Sequence, residues 1–356
     1  MRLDLLDFEK VQAFDRFIES FPHASFMQSR AWQTVKKNWE AAYFYVERDG
    51  QIRGTLSLIY IYDAKTQGIF AYVPAGPVCA KDDLETMKAL IDEARAFARE
   101  IGAFLLRIEP NIPYSEDLAQ RYSEQIAPLL HDKNYFSQAP MSMILAFKGR
   151  DIETLFTEYS KNARHGIRSA YKKGLCLYVG TREDLPIFHQ FMREMSERKG
   201  IGYRDLDYFE RLFDAFGDRL TMSFAALPED ENKQMETNVS DPIQGCPVYR
   251  NREGLRLIAC SLLLRFGQVA TSIYGADPLY ENLGQSYFLD FEEIRYALMN
   301  GLDAYDMGGV YEANTENGLY CFKNKMTQGG LIRWIGVWDF VEDESLYQRF
   351  QKHEQG

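Results

Sequence analysis

The clearest chemical pattern in the sequence is a row of four cations on one predicted helix. Lys161, Arg164, Arg168 and Lys172 are spaced three, four and four residues apart, which places them on one helix face. No acidic residue interrupts the row. Such a face could bind the phosphates of a nucleic acid. The alternative is an ordinary solvated helix face, which the spacing alone favours.

A second candidate region combines glycine pairs with lysines. Gly308 and Gly309 follow a predicted strand over 304–306, and Lys323 lies shortly before another glycine pair. Glycines allow the backbone to approach a ligand closely. A lysine beside such a crevice can act as a point charge on a phosphate or carbonyl oxygen. The alternative is a simple turn followed by a surface lysine.

Arg204 is a third candidate, because it stands just before a predicted helix over 207–216. An arginine beside a helix N-terminus can bind an anion. An ion pair with Asp205 or Asp207 explains the same residue equally well, so both interpretations stay open.

The segments that must position these residues alternate between helix-like and strand-like patterns. The sequence predicts a helix over 152–173, a strand hairpin over 255–266 and 268–275, and a last strand over 331–341. Both halves of the chain share the order of helices, hairpin strands, helix and strand. This order indicates a mixed α+β fold in each half and suits an acyltransferase fold, among others.

Composition excludes several classes of protein. The chain has 356 residues, 46% of them hydrophobic, and a net charge of −11, which argues against a broadly basic nucleic-acid-binding protein. The five cysteines form no C-x-x-C pair, and the five histidines show no metal-ligand spacing. No apolar run approaches a membrane span, and the N-terminus carries acids early. We therefore expect a cytoplasmic protein without a metal.

The sequence also lacks the Q/R-x-x-G-x-G/A loop by which acyltransferases bind coenzyme A. Two partial matches, at 51–56 and 333–338, lack the second small residue. If the fold is of the acyltransferase type, we expect its acyl donor not to be a thioester cofactor.

Five stretches of the chain, in order, carry a resemblance to a known family. They are QSRAW at 28–32 with Lys36, YVPAGP at 72–77, LRIEP at 106–110, SKNARHGIR at 160–168 with KKG at 172–174, and YDMGG at 305–309 with GLYCFK at 318–323. Together they resemble the FemABX family of peptidoglycan-branching aminoacyltransferases.

This resemblance implies a fold of two tandem domains, each similar to the N-acetyltransferase (GNAT) fold, with mixed sheets flanked by helices. The first domain would comprise 1–148 and 335–356, and the second 149–334. A polar stretch near 228–254 is expected to be a mobile insertion. It has no heptads, so the chain resembles the family members without a helical arm.

The resemblance also implies a reaction: transfer of an amino acid from aminoacyl-tRNA to the stem-peptide amine of a peptidoglycan precursor. The acceptor would be UDP-MurNAc-pentapeptide or lipid II. No cofactor is implied. We expect a monomer that touches the inner face of the membrane transiently.

Site residues follow from the same resemblance. Lys323 and Glu109 correspond to residues beside the reacting groups. The positions that match the acceptor site are Lys36, Arg204, Tyr208, Tyr274 and Phe322. The basic face of Lys161, Arg164, Arg168 and Lys172 would contact tRNA. Two alternatives remain: an N-acyltransferase with another amine acceptor, and a muropeptide-binding protein without turnover.

Overall fold

The computed structural model describes residues 1–22, 24–230, 241–278 and 282–354. The chain divides into two compact units, the first formed by Met1–Met141 with Ile332–Gly356 and the second by Ser142–Leu331. Within the described residues, no helix combines the length and the apolar character that crossing a bilayer requires.

The first unit is built around a mixed sheet. Its helices are α1 (Phe8–Ser20), α2 (Arg30–Val35), α3 (Leu84–Glu100), α4 (Glu116–Gln125) and α11 (Glu344–Glu354). Its strands are β1 (Glu40–Arg48), β2 (Gln51–Asp63), β3 (Gly68–Pro74), β4 (Val78–Cys79), β5 (Ala103–Glu109) and β14 (Trp338–Val341). The strand order is β1-β2-β3-β5-β14, with β4 paired to β2. Strands β3 and β5 are parallel and the other described pairs are antiparallel.

Local chemistry explains two of these elements. Asp49 and Gly50 both have positive φ, as a two-residue hairpin turn between β1 and β2 requires. Ser29 caps α2, because its hydroxyl accepts a hydrogen bond from the Trp32 N–H. The core between α3 and the sheet includes Leu90 and Trp338, both fully buried.

The second unit holds a larger mixed sheet. Its helices are α5 (Ile152–Glu158), α6 (Lys161–Lys172), α7 (Leu185–Lys199), α8 (Leu206–Phe216), α9 (Gln285–Met299) and α10 (Gly318–Thr327). The remaining strands are β6 (Met141–Ala146), β7 (Cys176–Gly180), β8 (Leu220–Pro228), β9 (Val248–Tyr249), β10 (Leu255–Phe266), β11 (Val269–Ala276), β12 (Ala304–Val310) and β13 (Leu331–Arg333). The sheet order is β13-β6-β12-β11-β10-β8-β7-β9. The mixed α+β fold predicted from the sequence is confirmed.

One pairing in this sheet matters for the site. Strands β11 and β12 are parallel neighbours, with Thr271 opposite Asp306. Because parallel strands end at the same edge of a sheet, Tyr274 and the Gly308–Gly309 pair lie at one edge. The carbonyl oxygen of Ser272 is 3.4 Å from the position that a Cβ on Gly308 would occupy, which shows how closely the two strand ends approach.

Three regions differ from the secondary structure predicted from the sequence. The predicted helix 152–173 is two helices, because Tyr159 is extended and Ser160 begins a new helix as the N-cap of α6. The predicted last strand is divided into β13 and β14. The region around Lys323, for which no element was predicted, is α10, capped by Asn317.

Part of the expected insertion at 228–254 falls on residues 231–240, which lie outside the described residues. The described part carries a short 3-10 turn at Pro242–Gln244 and strand β9. Strand β9 pairs in parallel with β7, so this part of the segment belongs to the sheet.

Candidate functional site

The Lys323 ammonium is the best-defined charged group at the edge where β11 and β12 end. Lys323 lies on α10 and is only 8% exposed. Its Nζ donates a hydrogen bond to the Gly309 carbonyl oxygen over 2.9 Å. Burial lowers the pKa of Lys323, and the nearby carboxyl groups of Asp306 and Asp290 oppose that effect. The side chain is therefore a buried cation held against a backbone oxygen.

Gly308 and Gly309 lie next to the end of the Lys323 side chain. Gly308 has a φ of +82°, which side chains with a Cβ rarely adopt. A Cβ added to Gly308 would lie 3.6 Å from the Lys323 Nζ. The Asp306 carboxylate accepts a hydrogen bond from the Gly308 N–H over 2.8 Å. The turn is thus fixed by the same carboxyl group that faces the lysine.

Behind Lys323 lies a polar group that the sequence interpretation missed. The Tyr305 hydroxyl is 2.8 Å from Asp290 Oδ1 and 2.5 Å from Glu293 Oε2. Tyr305 is fully buried and Glu293 is 3% exposed. Burial raises the pKa of Asp290 to about 6, that of Asp306 to about 6 and that of Glu293 to about 7. A signal was present in the sequence, since residues 290 and 293 are three apart among large apolar residues.

The structure brings together three of the predicted acceptor-binding residues. Tyr274 on β11 donates a hydrogen bond to the hydroxyl of Tyr208 on α8 over 3.1 Å. The Arg204 guanidinium lies 5.3 Å from the centre of the Tyr208 ring. Asp205 caps α8 by accepting from the Tyr208 N–H. The helix cap therefore orients Tyr208, and Arg204 contacts the aromatic face.

Phe322 precedes Lys323 on α10 and packs against an aromatic ring. Its ring centre is 4.7 Å from that of Tyr287 on α9. Tyr287 in turn lies over Gly166 of α6, where an added Cβ would be 2.6 Å from the ring. Phe322 thus packs α10 against α9, and Tyr287 packs α9 against α6.

Lys36 and Glu109 belong to the first unit. Lys36 follows α2, and its Nζ is 4.7 Å from the centre of the Trp32 ring. Glu109 ends β5 and is 5% exposed. Its carboxylate accepts hydrogen bonds from the Tyr72 hydroxyl and from the Ser137 and Gln138 N–H groups. Burial is the main cause of its raised pKa.

The four predicted tRNA-contacting cations lie on α6, as the spacing predicts. Lys161, Arg168 and Lys172 are exposed, whereas Arg164 is partly buried. Arg164 donates to the Thr157 carbonyl over 2.5 Å, and Arg168 lies 4.9 Å from the centre of the Phe156 ring. Most of this basic face is available to a polyanion.

The whole chain is similar to known proteins of one family. The model of the FemAB family matches residues 10–244 and 230–353. A UDP-N-acetylmuramoylpentapeptide-lysine N(6)-alanyltransferase of Weissella viridescens is 26% identical to this chain. The match covers 98% of this chain and 99% of the length of that enzyme. A lipid II:glycine glycyltransferase of Staphylococcus aureus (strain bovine RF122 / ET3-1) is 26% identical over 96% of this chain and 94% of its own.

Solved structures show the same fold. A crystal structure of FemX superimposes with a TM-score of 0.81 at 22% identity and covers 99% of this chain and 100% of that one. A tandem GNAT protein from the clavulanic acid biosynthesis pathway superimposes with a TM-score of 0.54 at 12% identity, over 96% of this chain and 97% of that one. The expected tandem GNAT-type architecture is confirmed.

Proposed function

This chain belongs to the FemAB family, and we propose that it is an aminoacyltransferase that extends a peptidoglycan cross-bridge. It would move an amino acid from aminoacyl-tRNA to the stem-peptide amine of a precursor, either UDP-MurNAc-pentapeptide or lipid II. The alanyltransferase and glycyltransferase that it matches over nearly its whole length support this reaction class.

The observation that carries the chemistry is the buried Lys323 ammonium. In the proposed reaction the acceptor nitrogen attacks the ester carbonyl of the aminoacyl group. A C–N bond forms, the C–O bond to the ribose breaks, and the ribose oxygen leaves with a proton. The tetrahedral intermediate carries a negative oxygen, which a preorganised cation stabilises most strongly where water is excluded. Lys323 fits this role, since it is 8% exposed and its Nζ is held in place by the Gly309 carbonyl oxygen.

Glu109 is the proposed acceptor of the proton that the amine must lose. Its raised pKa makes it a stronger base than an ordinary carboxylate. A carboxylate offers about four acceptor positions. Its described donors, Tyr72, Ser137 and Gln138, occupy three of them. One position then serves an incoming ammonium.

The acceptor and the donor are assigned to different side chains. Lys36 is proposed to supply a cation for the diphosphate of the precursor, because an ammonium group binds phosphate oxygens. Arg204 is a further proposed acceptor-binding residue. Tyr208, Tyr274 and Phe322 supply aromatic walls for its organic part. The exposed cations of α6 are proposed to contact tRNA phosphates.

We further propose that the protein works as a cytoplasmic monomer, with transient contact to the inner membrane face when the acceptor is lipid-linked. Its donor, aminoacyl-tRNA, is a cytoplasmic molecule. The five cysteines are all free thiols, as expected in a reducing compartment.

A transfer assay tests the proposal. Purified protein is incubated with a mixture of radiolabelled aminoacyl-tRNAs and UDP-MurNAc-pentapeptide, with Lys323→Met and Lys36→Met in parallel. We expect label in the muropeptide that depends on intact tRNA and is reduced at least 100-fold by Lys323→Met, as for loss of an oxyanion-stabilising group. Label in lipid II instead would keep the reaction and change the acceptor. No label in either would refute the proposal.

A further inference from the structure

Asp306, Asp290 and Glu293, together with Tyr305, form a cluster of acidic groups near Lys323. Asp306 faces the lysine and holds the Gly308 N–H. Asp290 faces the lysine from α9. Tyr305 joins Asp290 to Glu293. The proposed reaction uses Lys323 but gives no task to Asp290, Glu293 or Tyr305.

The hydrogen bonds among Tyr305, Asp290 and Glu293 require one proton in addition to that of the Tyr305 hydroxyl. The Tyr305 hydroxyl carries one proton, yet it lies within hydrogen-bond distance of two carboxyl oxygens, at 2.8 Å and 2.5 Å. It can donate to one carboxylate only, so the other contact is favourable when that carboxyl group is protonated and donates to the phenol oxygen. Two neighbouring carboxyl groups also resist being ionised together. Asp290 and Glu293 therefore share one proton between them.

The surroundings decide which of the two carries the proton. Asp290 faces the Lys323 ammonium, which favours its ionised form. Glu293 is 3% exposed, and the negative charge of Asp290 disfavours its ionisation. The proton consequently belongs on Glu293 and the charge on Asp290.

We propose that Glu293 is a protonated positioning residue, that Tyr305 and Glu293 together hold Asp290 as a carboxylate, and that Asp290 and Asp306 keep the buried Lys323 charged and aimed at the Gly309 carbonyl. The value of that charge for catalysis rests on the proposed function. The charge state of Lys323 does not, and it can be measured without a substrate.

Among the described residues, the other groups that face this cluster are polar but uncharged. They are Ser261 on β10, Ser272 on β11 and Tyr159 after α5. The two serine hydroxyls lie beside Glu293 and the Tyr159 ring lies near Asp290. The charged pair Glu292 and Arg295 also lies on α9, but it contacts Tyr171 instead.

The experiment follows the titration of Lys323 by NMR of protein labelled with 15N at lysine Nζ, and the resonance is assigned with Lys323→Arg. The test variants are Asp290→Asn and Glu293→Gln, which keep side-chain shape. We expect Asp290→Asn to lower the pKa of Lys323 by about one pH unit or more, because an opposite charge is removed. Glu293→Gln should move that titration less than Asp290→Asn does, because Asp290 and not Glu293 faces the lysine.

Two further variants sharpen the result. Tyr305→Phe should move the Lys323 titration in the same direction as Asp290→Asn but less, because Asp290 loses a donor. Glu292→Gln is the matched control: it removes a buried carboxylate from the same helix without facing the lysine, and the titration should not move. At pH 6, the infrared difference spectrum of wild type minus Glu293→Gln should contain the carbonyl band of a protonated carboxyl group, and that of wild type minus Glu292→Gln should not.

An unmoved Lys323 titration in Asp290→Asn would overturn the inference, as would the absence of a protonated-carboxyl band from the Glu293→Gln difference spectrum. If the titration moves while amino acid transfer stays unchanged at a pH where the lysine has lost its charge, the inference stands and the role of Lys323 in the proposed function fails. The two failures are thereby separated.

Discussion

Replacing Glu293 by glutamine should make the protein more stable in alkaline solution. Its folded-state pKa is raised to about 7 from the ordinary 4.5 by burial and by Asp290. A difference of that size corresponds to about 3 kcal/mol between the two protonation states. Because the folded state favours the protonated form, this stabilisation is complete below about pH 4.5 and is lost as the pH rises through 7. Most of that loss falls between pH 5 and pH 8.

The assay is urea unfolding of the wild type and Glu293→Gln at pH 5 and at pH 8. Other buried acids titrate in both proteins, so the difference between the two pH dependences isolates Glu293. We expect the variant to gain about 2 to 3 kcal/mol relative to the wild type on going from pH 5 to pH 8. With two compact units, the change should appear in the transition of the second one.

Glu253→Gln is the control, because Glu253 is exposed on a loop of the same unit. Its stability should follow the wild type at both pH values. If Glu293→Gln also follows the wild type, Glu293 is ionised throughout this range and the reasoning about its buried proton is refuted.

Three other results are expected. Arg164→Glu with Arg168→Glu should weaken tRNA binding and reduce the slope of log affinity against log salt by about two, whereas an unchanged slope would remove α6 from the donor interface. Tyr208→Phe leaves the Tyr274 hydroxyl without its described hydrogen-bond partner. It should raise KM for the acceptor about fivefold, equivalent to about 1 kcal/mol, and leave kcat unchanged. A fall in kcat alone would contradict an acceptor-binding role. Gly308→Ala must adopt a φ of +82° and should destabilise the second unit by about 1 kcal/mol in urea unfolding; equal stability would show that the turn relaxes freely.

The sequence predicted the sheets well because their strands follow simple local rules. The hairpin of β10 and β11 is recognisable from two β-rich segments around Gly267, and the two strands pair as antiparallel neighbours. The break between α5 and α6 was missed, because the apolar period of a helix continues across it. What ends the first helix is the extended backbone at Tyr159, and the Ser160 hydroxyl then caps the second.

The candidate site was predicted only in part. Lys323 was identified from its neighbours in sequence and from the family resemblance, but its helix was not. Asp290 and Glu293 escaped notice because charged residues on a helix usually face solvent. Their true partner, Tyr305, lies on a different element, and only the packing of α9 against β12 brings the three together.

The contact between α6 and the helices behind it determines how this protein could be redesigned. An added Cβ on Gly284 would collide with the Gly166 backbone, and the Ser160 N–H donates to the Lys325 carbonyl over 2.9 Å. Helices α6 and α10 are therefore packed closely together. The outward side chains of α6, which are proposed to contact tRNA, can be varied at small risk to the lysine. A bulkier residue at position 166 would instead press on Tyr287, and through it on Phe322, and so disturb α6 and α10 together.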